Sequence, residues 1–119
     1  MTEIALQIAG LSGAGIAVVH AWLGDARVVT PFRSGAPDPA FRVMRAIMAL
    51  SGLYWLALGC ALIAAPYFAS EAELRVLALV AAFAYATGAI GNAWAMRGRH
   101  FGAYLLLAPT TLALYGALA

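Results

Sequence analysis

Residues 4–23 read IALQIAGLSGAGIAVVHAWL, with no Asp, Glu, Lys or Arg anywhere in the run. A helix needs about 20 predominantly apolar residues to cross a bilayer, and this segment supplies them. Its glycines, Gly10, Gly13 and Gly15, imitate a phosphate-binding loop. The dinucleotide fingerprint, however, needs a strand before the glycines and a soluble strand-helix-strand unit around them. An uninterrupted apolar helix provides neither, so the segment is read as a membrane span. Small residues recur at every fourth position: Ala5, Ala9, Gly13, Ala17 and Ala21. At 100° per residue they form one gently drifting ridge, suited to close contact with another helix.

Composition extends this reading to the whole chain. Of 119 residues, 65% are hydrophobic and 10% charged, and the mean hydropathy is +0.89. Soluble domains are about half apolar and about a quarter charged, and a domain this small leaves much of its surface exposed. Lipid is therefore the expected solvent. Three further spans follow, at about 46–65, 74–96 and 101–119. The connection 24–45 contains Pro31, Pro37 and Pro39 and is expected to be an ordered loop with a short interfacial helix. Pro66 ends the second span, and Met96-Arg97-Gly98-Arg99-His100 makes a tight turn before the fourth. The expected fold is a single all-α domain over 1–119, an integral membrane four-helix antiparallel bundle. The only charge ahead of the first run is Glu3. A signal peptide opens on positive charge, so the first span is read as a retained helix.

All seven basic residues are arginine. Arg27, Arg33, Arg42 and Arg45 lie in the first connection and Arg97 and Arg99 in the third, while Arg75 alone faces the other side, beside Glu3, Glu71 and Glu73. Positive charge favours the cytoplasmic loops, so both termini are expected to be non-cytoplasmic. The pI near 9.0 reflects this flanking arginine, and no nucleic-acid partner is expected.

Each remaining span also has a stripe at three-and-four spacing, the seam of a left-handed bundle. On the second it is Arg45, Met48, Gly52, Trp55 and Gly59. On the third it is Ala78, Ala81, Tyr85, Gly88, Asn92 and Ala95, with Val76, Leu79, Phe83 and Ile90 turned to lipid. On the fourth it is Tyr104, Ala108, Thr111, Tyr115 and Leu118. Pro109 should kink that last helix by freeing the Leu105 carbonyl, with Thr110 and Thr111 placed to satisfy the backbone. Trp22, Trp94 and Tyr67 are expected interfacial anchors.

Ionisable groups at membrane depth are functional candidates by default. His20 lies on the ridge near the cytoplasmic boundary, one turn or so inside Asp25. Ser51, Asn92 and Tyr104 fall at similar depth, and Arg45 reaches that layer by extending its side chain. This polar layer (His20, Asp25, Arg45, Ser51, Asn92 and Tyr104) reads as a structural clasp, or as a ligand, proton or headgroup site. Direct proximity of His20 and Asn92 is expected. Haem is not expected, because His100 should sit at the surface and out of level with His20. The lone Cys60 allows no disulfide framework, no metal-ligand spacing is found, and Ser12 and Ser51 lack a nucleophile motif. The expected cofactor is none.

The run His20-Ala-Trp-Leu23-Gly24-Asp25-Ala-Arg27, with Pro31 and then Arg42-Val-Met-Arg45, resembles a family of small, uncharacterised bacterial four-span inner-membrane proteins. The likeness covers roughly the first fifty residues. It lacks a further histidine that follows the second arginine pair in that pattern, where Met48 and Ala49 stand here. It implies a four-span fold in the cell inner membrane and transfers no activity.

Three functions fit these residues. The first is an accessory or assembly subunit that contacts membrane lipids and either other membrane proteins or further copies of itself. The second is a small dimeric transporter, although no acid is embedded within a span. The third is an enzyme at the cytoplasmic headgroup layer, with His20 as acid or base and Arg45 holding an anionic substrate. The first is favoured by the many small-residue faces.

Overall fold

The computed structural model describes residues 2–35, 37–99 and 101–119. Helix α1 runs from Thr2 to Gly24 and continues through a π-helical turn, Asp25–Val29, into a final turn, Thr30–Phe32. Pro31 explains the wider turn. Proline has no N–H and its ring crowds the turn before it. A local i→i+5 pattern, with the Thr30 N–H donating to the Asp25 carbonyl, lets the helix pass that point unbroken. Helix α2, Asp38–Ala64, starts with Pro37 at its N-cap, Pro39 in its first turn and the Asp38 carboxylate at its positive end.

The stretch 24–45 is therefore helical from both sides, as far as Phe32 from one and from Asp38 onward on the other. The three prolines predict an ordered loop with a short interfacial helix there. Pro37 and Pro39 instead begin a helix, and a π turn absorbs Pro31.

A 3-10 turn, Ala65–Tyr67, closes α2 around Pro66. Helix α3, Glu71–Ala95, opens on a capping box. The Ser70 N–H donates to the Glu73 carboxylate at 2.7 Å, and the Glu73 N–H donates to Ser70 Oγ at 3.4 Å. It ends where Arg97 and Gly98 take φ of 51° and 72°. The Gly98 N–H returns to the Ala93 carbonyl at 2.7 Å, a left-handed C-terminal cap. Helix α4, Phe101–Leu118, is interrupted at Leu106, between Phe101–Leu105 and Leu107–Leu118. Pro109 is buried just beyond that break. The Thr110 hydroxyl donates to the Leu106 carbonyl and that of Thr111 to the Leu107 carbonyl, each one or two positions past the Leu105 carbonyl that Pro109 deprives of its donor. All four helices are long and apolar enough to cross a membrane, and no strand occurs among the described residues.

The helices pack in cyclic order, α1 on α2 and α4, and α3 on α4 and α2. The α1–α2 contact is the most extensive and runs antiparallel. Gln7 Nε2 donates to the Tyr67 hydroxyl at one end, and Gly24 meets the end of the Met48 side chain at the other. Between them the backbones touch. A Cβ at Gly10 would stand 2.5 Å from the Gly59 carbonyl oxygen, and one at Gly59 would stand 2.6 Å from that of Gly10. Close approach of this kind is what small residues permit where helices meet. Arg75 joins α3 to α4 at the other end of the molecule. Its Nε–H donates to the Ala117 carbonyl at 3.0 Å, which sets a cation at the negative end of α4.

Of the α1 ridge, Ala5, Ala9, Gly13 and Ala17 are buried, whereas Ala21 is exposed although its Cβ lies beside Gly52. On α3, Ala78, Ala81 and Tyr85 are buried, while Val76, Leu79, Phe83 and Ile90 are exposed. Gly88 and Asn92 are half-buried, and Ala95 is exposed. Helix α4 overturns the expectation. Tyr104, Ala108, Thr111, Tyr115 and Leu118 all face outward, and its inner stripe is Ala103, Leu106, Thr110, Ala113 and Ala117. Both stripes share three-and-four spacing. The inner one prevails because its alanines let α4 approach α1 and α3, which two tyrosines would hold apart.

Candidate functional site

The candidate polar layer lies where the filled interior of the bundle meets its arginine-bearing end. Trp55 is the centre of this region. Helix α2 presents it inward on the same stripe as Gly52 and Gly59, and it is buried. The His20 ring of α1 stands against its indole, with centroids 4.7 Å apart and planes tilted by 53°. The indole also fits the notch left by Gly88 of α3, where a Cβ would overlap its ring. Tyr85, one helical turn below Gly88, is fully buried and donates its hydroxyl to the Trp55 backbone carbonyl at 3.3 Å. Its ring fills a second notch, because a Cβ at Gly13 of α1 would overlap the phenol. Two aromatic knobs thus sit in two glycine holes and tie three helices at one level.

The polar side chains around this cluster are bonded close to home. Asn92 Nδ2 donates to the Gly88 carbonyl at 3.0 Å, Ser51 to the Met48 carbonyl at 3.0 Å, and Tyr104 to the Gly98 carbonyl at 2.9 Å. Asp25 and Arg45 are exposed. Trp55 links His20 on α1 to Gly88 on α3. His20 and Asn92 are both half-buried, on the α1 and α3 sides of this cluster. His100 lies outside the described residues. Compared with known proteins, the chain matches no family model, no curated protein and no solved structure. The geometry alone therefore carries the functional reading.

That geometry holds side chains in place. The surface grooves, about 470 Å³ and about 340 Å³, run along the outer face of α3 and between the end of α2 and the start of α3. Their walls are mainly alanine, leucine and valine, with Glu73 the single charged residue, and they lie at the far end from His20. Among the described residues no three His, Cys, Asp or Glu side chains gather as metal ligands. Cys60 is exposed on the outer face of α2.

Helices α1 and α2 touch through backbone at Gly10, Ala14 and Gly59; Gly59 lies on the α2 seam stripe, whereas Gly10 and Ala14 fall outside the α1 ridge. A signal existed. Gly52 and Gly59 stand seven residues apart on one face of α2, a separation that brings two small side chains to the same seam.

Proposed function

We propose that the chain is a four-span antiparallel bundle in the cell inner membrane, where it serves as an accessory or assembly subunit that works through its outer surface. The observation that carries this reading is the filled interior. Tyr85, Trp55, Leu6, Leu62 and Leu106 occupy the axis, and alanines close the space between them. A single chain then offers partners its exterior: an apolar wall with exposed Leu11, Leu53, Phe83 and Ile90, and an end rich in arginine. A transport role would need its path between two copies. The accessory reading is tested by mild detergent extraction from native membranes and purification through a tagged chain. One defined membrane protein, or a second copy of the chain, is expected at fixed stoichiometry. Recovery of an unaccompanied monomer would remove this reading.

Topology is part of the same proposal. Arg27, Arg33, Arg42, Arg45, Arg97 and Arg99 lie at the end bearing the α1–α2 and α3–α4 connections, and arginine marks the cytoplasmic side. A C-terminal alkaline phosphatase fusion is expected to be active, and a C-terminal green fluorescent protein fusion dark. The opposite pattern would invert every statement about sides.

A further inference from the structure

We propose that the arginine-bearing end of the α1–α2 hairpin is a binding surface for the phosphates of anionic phospholipids. The inference rests on the membrane reading above and adds the class of lipid. Its first support is a difference in helix height. From the contact between Trp55 and Gly88, α3 continues to Ala95 for about 10 Å, whereas α2 continues back to Asp38 for about 25 Å. The hairpin therefore overhangs α3 and α4 by about 15 Å. Helices α1 and α2 with their end turns span 30 residues each, about 45 Å, against a hydrocarbon core of about 30 Å.

The second support is the level at which the charges stand. Trp22 and Trp94 are exposed, at 70% and 84%, and tryptophan settles at the membrane–water interface. Arg27 follows Trp22 by little more than a turn, and Arg97 and Arg99 follow Trp94 just as closely. Arg45 lies at about the height of the α3–α4 turn, with Arg42 one turn further out. These positions coincide with the phosphate layer.

The third support is that the guanidinium groups are available. Arg27, Arg42, Arg45, Arg97 and Arg99 are exposed. Among the described residues none of their side chains makes a hydrogen bond or ion pair, in contrast to Arg75, which caps α4. Arg33 rests on the Phe41 ring at 5.5 Å, a contact that leaves its N–H edge open. Asp25 and Asp38 share this end, so six arginines face two carboxylates. The guanidinium fork matches phosphate oxygens in pairs, and the overhang of α1 on α2, closed by buried Val29, holds the forks on rigid helix.

The test uses purified full-length chain in detergent, with native mass spectrometry and thermal unfolding after addition of phosphatidylglycerol or phosphatidylcholine. Phosphatidylglycerol is expected to be retained preferentially and to raise the unfolding midpoint. Each neutralised arginine should reduce that retention by about fivefold at low salt. Arg42→Gln/Arg45→Gln should therefore lose most of the preference, Arg42→Lys/Arg45→Lys should keep much of it, and Arg75→Gln, at the other end, should keep all of it. Unfolding without added lipid identifies any variant that fails to fold, and the lysine pair then carries the comparison against neutral lipid. Equal retention of the two lipids overturns the proposal, as does an undiminished preference in the glutamine pair. An equal midpoint rise with inorganic phosphate would overturn the assignment to lipid. Flotation with vesicles of phosphatidylcholine alone reads membrane insertion separately, so a failure of the membrane reading is distinguished from a failure of this one.

Discussion

Gly59→Leu is expected to separate α1 from α2 and to produce the largest loss of stability among single substitutions on that seam. A Cβ at this position would meet the Gly10 carbonyl oxygen at 2.6 Å, the Ala14 nitrogen at 2.8 Å and the Ala14 Cβ at 2.9 Å. Two of the three atoms are backbone, so no rotamer change relieves the overlap and the helices themselves must move. Overpacking costs about 1–3 kcal/mol in ordinary cores, and the upper part of that range is expected here. Thermal unfolding in detergent measures it, with gel filtration reporting whether a discrete particle survives. Gly15→Leu supplies the comparison, because a Cβ at Gly15 meets nothing within 4 Å. Phe83→Leu, on the exposed face of α3, should likewise leave the midpoint nearly unchanged. If Gly59→Leu and Gly15→Leu unfold at the same temperature, the backbone contact between α1 and α2 is wrong.

The second large effect is expected at Tyr85. Truncating a buried aromatic residue to alanine costs about 3–5 kcal/mol. In lipid the transfer from water contributes little, and loss of packing around the emptied notch dominates, so Tyr85→Ala should fall toward the lower end. The hydroxyl contributes a smaller share. Tyr85→Phe removes its bond to the Trp55 carbonyl, and hydrogen bonds between membrane helices average about 0.6 kcal/mol. A destabilisation by Tyr85→Phe as large as that of Tyr85→Ala would move the weight from the ring to the hydroxyl and contradict the knob-in-notch account. Gly13→Leu attacks the same contact from α1. In a double-mutant cycle Gly13→Leu should cost much less when Tyr85 is alanine, since the emptied notch accepts the new side chain. Additive effects would show that the two residues do not share one space.

Much of this arrangement can be read along the chain. The absence of charge over 4–23 and the three later apolar runs predict four long helices, because an unbroken helix satisfies its own backbone where no water is present. The small residues of α1 predict its buried ridge, and Val76, Phe83 and Ile90 predict the outward face of α3. Each of these readings depends on a property of one helix alone, its hydropathy or its periodicity.

Contacts between helices are a different matter. The exposed stripe of α4, Tyr104 to Leu118, and its buried stripe, Ala103 to Ala117, both alternate three-and-four spacing and lie one or two residues apart. In water, the burial of apolar area would choose between them. In the lipid setting proposed above, both faces would be acceptable to the solvent, so the choice would fall to volume, and volume is settled only against a neighbour. The same reason applies to the centre of the molecule. The sequence by itself determines that Trp55, Tyr85, Gly13 and Gly88 lie on inward stripes. That the indole takes the Gly88 notch, the phenol takes the Gly13 notch and the His20 ring stands against the indole is settled only in three dimensions. A large side chain can occupy any hole of the right size at its level, and which hole lies opposite it depends on the offset of two packed helices.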